Sequence, residues 1–271
     1  MILIGERING MFQDVKSAIA SRDKTVIQNL ALKQTEAGAD YLDVNVGTSA
    51  DPEGVMQWLV ETVEESCKTP LSIDSQKPAV VEAALKVLDS SKGVLLNSSP
   101  LNRKTDEEIL SRYIAMAKSR NGKLIALAMD KGGVPQSTSG RVEIAAAIVE
   151  KALAEGFSTE NLFIDPIILP VNVPGAQAQP GFILEALMQI RLLSDPAPHT
   201  TVGLSNVSQG TSERSLINRI FLVMAIAAGL DSAILDVFDK ELVDAVATAE
   251  MLLNKQIYSD SFLKAFRSMR R

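Results

Sequence analysis

Carboxylates and carboxamides recur in this sequence at one kind of place, the end of a short apolar run. Glu6 follows Ile2-Leu3-Ile4-Gly5, Asp43 and Asn45 flank Val44, and Asp74 follows Leu71-Ser72-Ile73. Asn97 ends Val94-Leu95-Leu96, Asp165 ends Leu162-Phe163-Ile164, and Asn206 with Gln209 follows Val202-Gly203-Leu204-Ser205. A carboxylate can accept two parallel N–H donors at once. A carboxamide presents a donor and an acceptor side by side. Such a set suits a flat heterocycle with a donor-rich edge, and the same Asp residues equally suit a hard cation such as magnesium. Residue type alone leaves both ligands open.

Taken singly, each of these residues reads as the cap of a following helix. Asp74 fits that reading least, because Ser75 can serve as the cap while Pro78 starts the helix. As a set they resist it, since acidic groups brought together repel one another and lose hydration unless a ligand rewards them.

Other chemistries are narrowed by scarcity. Cys67 is the only cysteine and His199 the only histidine, which excludes a disulfide framework and a Cys/His zinc site within one chain. His199 precedes an apolar run, at the end opposite the polar residues, and reads as a surface residue. Cys67 follows a helical face of Val55, Leu59 and Val63 and reads as buried, and Trp58 as core or interface. Lys77 and Lys131 follow run ends and keep a Schiff-base aldolase in view.

A net charge of −6 with scattered Lys and Arg leaves no footprint for nucleic acid. Neither a G-x-G-x-x-G after the first run nor a phosphate-binding P-loop occurs. No apolar run approaches the roughly 20 residues of a membrane span. Met1-Ile2-Leu3-Ile4 meets Gly5-Glu6-Arg7 too soon for a signal peptide, so a cytoplasmic protein without membrane contact is expected.

The apolar runs are Ile2–Gly5, Tyr41–Val46, Leu71–Asp74, Val94–Asn97, Leu124–Met129, Leu162–Ile167, Val202–Ser205 and Ala233–Val237. Between them lie segments with apolar residues at helical spacing, such as Val80, Val81, Ala84, Leu85 and Leu88, or Ile109, Leu110, Tyr113, Ile114 and Ala117. Gly38, Gly156 and Gly229 stand where helix C-termini are expected. Eight strand-and-helix repeats predict an α/β fold, a single (β/α)8 TIM barrel over residues 1–271, with an open doubly wound sheet as the alternative. The strand ends of such a barrel carry its active site, which gathers the polar residues on one rim.

At this level of detail the motifs themselves become specific. Ile4-Gly5-Glu6-Arg7-Ile8-Asn9, Leu42-Asp43-Val44-Asn45, Ile73-Asp74-Ser75, Asn97-Ser98, Ile164-Asp165-Pro166 and Gly203-Leu204-Ser205-Asn206-Val207-Ser208 occur in that order along the chain. Together they resemble the pterin-binding methyltransferases, which include the folate domain of cobalamin-dependent methionine synthase. The fullest match is with the methyltetrahydrofolate:corrinoid/iron–sulfur protein methyltransferases of the acetyl-CoA pathway, extending to Asp195-Pro196-Ala197-Pro198 and Leu216-Ile217-Asn218-Arg219.

The resemblance implies that Asp74, Asn97 and Asp165 bind the pterin edge and that Asn206 lies near N5, with Gln209 and Arg214 on the folate side. Glu6, Asp43 and Asn45 would orient these groups, and Asp236 would be structural. Methyltetrahydrofolate or tetrahydrofolate is then the substrate, the corrinoid belongs to a partner protein, and the chain is a homodimer with no tightly bound cofactor or metal. The related dihydropteroate synthases carry an Asn-x-Thr-Pro-Asp-Ser-Phe loop, a Lys after the seventh strand and an Arg-x-His at the eighth. Here Asn9-Gly10-Met11-Phe12, Asn206 and Asp236-Val237-Phe238 stand instead, so synthase activity is not expected. A non-catalytic folate-binding module and a lyase or aldolase barrel are the alternative functions.

Overall fold

A computed structural model describes residues 1–89 and 91–270. Eight strands, β1 (Ile2–Asn9), β2 (Tyr41–Asn45), β3 (Leu71–Asp74), β4 (Val94–Pro100), β5 (Lys123–Leu127), β6 (Leu162–Asp165), β7 (His199–Thr200) and β8 (Ser232–Leu235), pair in parallel. The order β7-β6-β5-β4-β3-β2-β1-β8 is that of a barrel opened between β7 and β8. A parallel bridge between Gly203 and Ile234, with Ile234 N donating to the Val202 carbonyl at 2.9 Å, closes the ring. The fold is the expected (β/α)8 barrel.

The helices among the described residues are α1 (Gln13–Ser21), α2 (Lys24–Glu36), α3 (Pro52–Glu64), α4 (Pro78–Val87), α5 (Ile109–Ser119), α6 (Thr138–Ala154), α7 (Gln179–Ile190), α8 (Arg214–Ala227), α9 (Lys240–Leu252) and α10 (Phe262–Met269). Gly38, Gly156 and Gly229 adopt positive φ at the ends of α2, α6 and α8. None of the helices is long and apolar enough to cross a membrane.

Strand period two sorts the apolar residues into two cores. Leu3, Leu42, Val44, Leu71, Ile73, Leu96 and their outward-facing counterparts pack against the helices. Ile4, Leu95, Ile125, Leu127 and Phe163 form a separate cluster, joined by Ile2, Tyr41, Met129, Ile167 and Ile234. That second cluster plugs the barrel interior, and Ile4, Leu95, Ile125 and Phe163 in it are wholly inaccessible. Continuing the same parity toward the strand ends brings Glu6, Asp43 with Asn45, Asp74, Asn97 and Asp165 above the plug.

Only β3 keeps its expected bounds, and while β4 runs on to Pro100 and β2, β5, β6 and β8 shift by one or two residues at one end or both, β1 and β7 depart most from the sequence-based expectation. β1 runs on to Asn9 through a bulge between Gly5 and Ile8, which returns Ile8 to the outer core although it shares parity with Ile2 and Ile4. The buried Gln34 carboxamide accepts the Arg7 N–H at 3.0 Å, and a Cβ on Gly5 would fall 2.5 Å from its Oε1, which is why glycine stands there. The seventh strand forms a continuous ladder only at His199–Thr200, ahead of the expected Val202–Ser205, where a single bridge at Gly203 remains and Leu204–Asn206 forms a 3-10 turn. The break spares Asn206 from the ladder and leaves its side chain free at the barrel mouth.

Candidate active site at the barrel mouth

The capping explanation for the polar rim does not hold. Side-chain caps come from Asp23, Asp51, Ser137 and Asp239 on α2, α3, α6 and α9. Ser75 accepts from Lys77 N at 3.2 Å, one residue short of α4, which has no side-chain cap. Glu6, Asn45, Asp74, Asn97, Asp165 and Asn206 cap no helix; Asn45 and Asp165 each also hold a local turn through the N–H of Gly47 and Ile167.

On β2, β3 and β4 register creates a stacked carboxyl pair. Asp43 pairs across with Ser72, Asn45 with Asp74, and Asp74 with Asn97. Ser72 Oγ (2.6 Å) and Asn97 Nδ2 (3.0 Å) both donate to Asp43 Oδ1, while Asn45 Nδ2 donates to Asp74 Oδ2 at 2.7 Å. Asp43 also hydrogen-bonds Asp74. Burial, then the neighbouring Asp74 charge, hold Asp43 well above the usual carboxylate range. Burial also raises Asp74, opposed by the bonds from Asn45 and Asp43. One proton between the two carboxyls is the physical outcome, since like charges this close cannot both ionise cheaply. The upward push is stronger on Asp43, which favours Asp43 as the holder of that proton and Asp74 as the acceptor.

Asp165 stands apart on β6, at the start of a strained turn. Its Oδ1 accepts Ile167 N at 2.7 Å, and Ile167 itself has φ +59°, an unfavourable conformation for a β-branched residue. Arg141 in the first turn of α6 fixes this turn from behind. Although wholly buried, it donates from Nε to the Pro166 carbonyl at 2.8 Å, from Nη1 to the Ser137 carbonyl at 3.2 Å, and from Nη2 to Gln179. Burial pushes the Asp165 carboxyl up to about 7, against the pull of the Ile167 N–H and the Arg141 charge.

A cavity of about 570 Å3 opens beside these groups, within the ~300–1,000 Å3 range of small-molecule sites. Glu6, Ser205, Asn206, Gln209, Arg214 and Asp236 are among its lining residues. Ser205 Oγ donates to Glu6 Oε1 at 2.7 Å, and Arg214 donates to Ser208 Oγ (3.3 Å) and to the Ser205 carbonyl (3.2 Å), bracing the turn that carries Asn206. A Cβ on Gly203 would lie 2.8 Å from Asn206 Nδ2, so glycine makes room for the carboxamide. Asp236 accepts Phe238 N at 3.0 Å yet also lines the cavity. Asp74, Asn97 and Asp165 lie outside that lining, so the rim is one wall of carboxyls and one adjoining chamber. On β5 the interior positions are Leu127 and Met129, an apolar sector in an otherwise polar crown.

The remaining candidates fall elsewhere. His199 begins β7 at the barrel floor, stacked on Phe163 with centroids 4.8 Å apart. Cys67 is half-buried, and Trp58 packs against the outer core with Arg22 over its ring. Lys77 and Lys131 are exposed, and Lys131 pairs with Glu107. Sequence reasoning missed Arg141. Its signal was present, because a cation in the first turn of a helix opposes the helix dipole and needs a reason.

A parallel barrel with a sealed interior and this carboxyl-lined mouth defines a class of small-molecule enzyme sites. The family model described as pterin binding enzyme matches residues 9–236, and the chain belongs to that family. It is 31% identical over 270 residues, covering 98% of this chain and 96% of the other, to the methylcorrinoid:tetrahydrofolate methyltransferase of Eubacterium limosum. It is 27% identical over 244 residues to the methionine synthase of Mycobacterium tuberculosis, covering 86% of this chain and 20% of that protein. Among solved structures, dihydropteroate synthase of Xanthomonas albilineans with 4-aminobenzoic acid superposes with a TM-score of 0.64 at 17% identity, covering 95% and 93% of the two chains. At that identity the likeness is one of fold.

Proposed function

We propose that this chain transfers a methyl group between N5 of tetrahydrofolate and the corrinoid of a partner protein. The observation that carries the reading is the two-part mouth, a wall of hydrogen-bond acceptors next to a chamber that holds Asn206. The full-length similarity to a methylcorrinoid:tetrahydrofolate methyltransferase supports it.

In this reading the pterin lies across the mouth. Asp74 accepts the parallel N–H pair of its 2-amino-4-oxo edge, Asn97 completes that edge, and Asp165 takes a further ring N–H. The apolar β5 sector supports the ring face, and Gln209 with Arg214 lies along the chamber. Asn206 donates a hydrogen bond to N5 as the N–CH3 bond breaks, which stabilises the departing nitrogen pair. The corrinoid is the partner's and enters as co-substrate. Its Co(I) state attacks the methyl carbon in line, and the barrel contributes position and exclusion of water without a covalent intermediate. The relative's name runs the transfer from methylcorrinoid to tetrahydrofolate, and the same groups serve that direction in reverse.

Family resemblance extends the reading to a corrinoid protein partner, a cytosolic location and a homodimer. The exposed stripe of Leu216, Ile220 and Met224 along α8 supports the dimer. The test is anaerobic absorbance spectroscopy with methyltetrahydrofolate and Co(I) cobalamin. Formation of methylcobalamin at a rate proportional to enzyme is expected. Tight folate binding without transfer would favour a folate-binding module instead.

A further inference from the structure

We propose that Glu6 is the acid and base that serves N5, giving it a proton when the methyl group leaves and removing one when the methyl group arrives. The inference rests on the methyl-transfer reading above and assigns the proton that Asn206 cannot supply, since a carboxamide donates a hydrogen bond without giving up its proton.

The geometry comes from two elements that the fold forces together. Glu6 lies within the β1 bulge between Gly5 and Ile8, and Ser205, in the turn after the broken seventh strand, meets its carboxyl. Ser205 Oγ then bonds Glu6 Oε1 at 2.7 Å, which anchors the carboxyl and leaves Oε2 without a protein partner among the hydrogen bonds described. Asn206 is the next residue, and Glu6 and Asn206 line the same chamber. A carboxylic acid and a carboxamide therefore face one space from adjoining supports, the arrangement that proton transfer to a positioned nitrogen requires.

The charges around Glu6 are mixed. Asp236, just past the end of β8, raises its affinity for a proton, while Arg214 on α8 and Arg7 on β1 lower it. Asp239 at the start of α9 shares the chamber, and Asp43 is the carboxyl on the neighbouring β2. Burial is the largest influence and pushes Glu6 above the ordinary carboxylate range, with the Ser205 hydroxyl opposing it. An acid raised in this way moves toward the neutral pH at which proton transfer is most efficient.

The step balances. With methyltetrahydrofolate, the Co(I) electron pair forms the Co–C bond, the C–N5 bond breaks, and its electron pair takes the proton from Glu6. Cobalt is thereby oxidised to methyl-Co(III), tetrahydrofolate is released, and the Glu6 carboxylate is reprotonated from solvent through the chamber. In the opposite direction N5 attacks the methyl of methyl-Co(III), Co(I) departs with the bonding pair, and the carboxylate accepts the N5 proton.

The experiment is single-turnover transfer from methyltetrahydrofolate to free Co(I) cobalamin across pH, with folate binding measured separately. Parental enzyme should slow as pH rises through the Glu6 titration. Glu6→Gln should lower the rate about a hundredfold, in the range of general acid catalysis, and lose that pH limb while the folate Kd stays within threefold. Ser205→Ala removes a bond that favours the carboxylate, so the limb should move to higher pH. If Glu6→Gln fails to fold by thermal melt, Glu6→Asp carries the test, with a slower rate and a retained limb expected. A Glu6 variant with the parental rate and limb at saturating folate overturns the assignment, as does loss of folate affinity with an intact rate. If the parental protein itself transfers no methyl group, the underlying reading fails first and the Glu6 role falls with it.

Discussion

Both hydrogen bonds that Asp43 accepts, from Ser72 and Asn97, end on Oδ1, and the remaining oxygen is the one left to carry the proton shared with Asp74. Asp43→Asn retains an acceptor and substitutes a permanent N–H for the shared proton. Because burial raises Asp43 in the fold, the folded state holds a proton that the unfolded chain has lost above the ordinary carboxylate pKa, and parental stability declines as pH rises. Thermal melts should show a gain for Asp43→Asn that grows from pH 5 to pH 8. A gain independent of pH would remove the shared proton.

Asp74→Ala is expected to abolish folate binding, because the pterin N–H pair would be desolvated with no acceptor. Calorimetry giving an affinity within about twofold of the parent, far below the ~1.4 kcal/mol of a tenfold change, would take Asp74 out of the pocket.

In the proposed reading Asp165 makes folate affinity depend on pH. Its carboxyl titrates at about 7 in the free protein, and only the carboxylate accepts from the pterin, so apparent affinity should fall as pH drops through 7. The weakening approaches about tenfold per pH unit on the acid side. Calorimetry at pH 6 in buffers of different ionisation enthalpy should register close to one proton released per folate bound. A pH-independent Kd between pH 6 and 8 would refute the role.

Arg141→Met leaves the Pro166 carbonyl and Gln179 without their buried donor. Breaking a buried charged network typically costs ~3–5 kcal/mol. The chemical-denaturation midpoint should drop accordingly. In the fraction that folds, the pH midpoint for folate binding should move upward, since Asp165 has lost the cation that favours its charged form. An unchanged midpoint would make Arg141 purely structural.

Asn206→Ala should separate chemistry from binding. If its carboxamide helps most as N5 leaves, kcat should fall about a hundredfold while Kd changes much less. Turnover at the parental rate under saturation would dismiss the catalytic role. Failure to bind, in a variant whose circular dichroism melt matches the parent, would make Asn206 a substrate anchor.

The polar rim was legible because period two in short apolar runs puts the last polar residue of each inner face above the plug. Asp43, Asn45, Asp74, Asn97 and Asp165 follow that rule. The seventh strand was less legible. Val202-Gly203-Leu204-Ser205 has the composition of a strand end, but the continuous ladder ends at Thr200, only an isolated bridge at Gly203 follows, and the chain then turns to free the Asn206 side chain. The β1 bulge left a trace in Ile8, an apolar residue at a parity that Glu6 had already made polar. What reads that trace is Gln34, 27 residues from Arg7, a contact no local pattern encodes. Arg141 reaches its partners in the same nonlocal way.

The apolar plug of Ile4, Leu95, Ile125, Leu127 and Phe163 makes the mouth a chamber with a dry floor. The carboxyls lie on the mouth side of that plug, the side from which a corrinoid partner would approach in the proposed reading. Once docked, partner and barrel would enclose a fixed stock of protons, held by the Asp43–Asp74 pair and Glu6. Each turnover would therefore leave the chamber one proton out of balance, and exchange with bulk water would have to wait until the partner lifts away. Docking and release would thus act as an airlock for protons, tying the rhythm of methyl transfer to that of protein association.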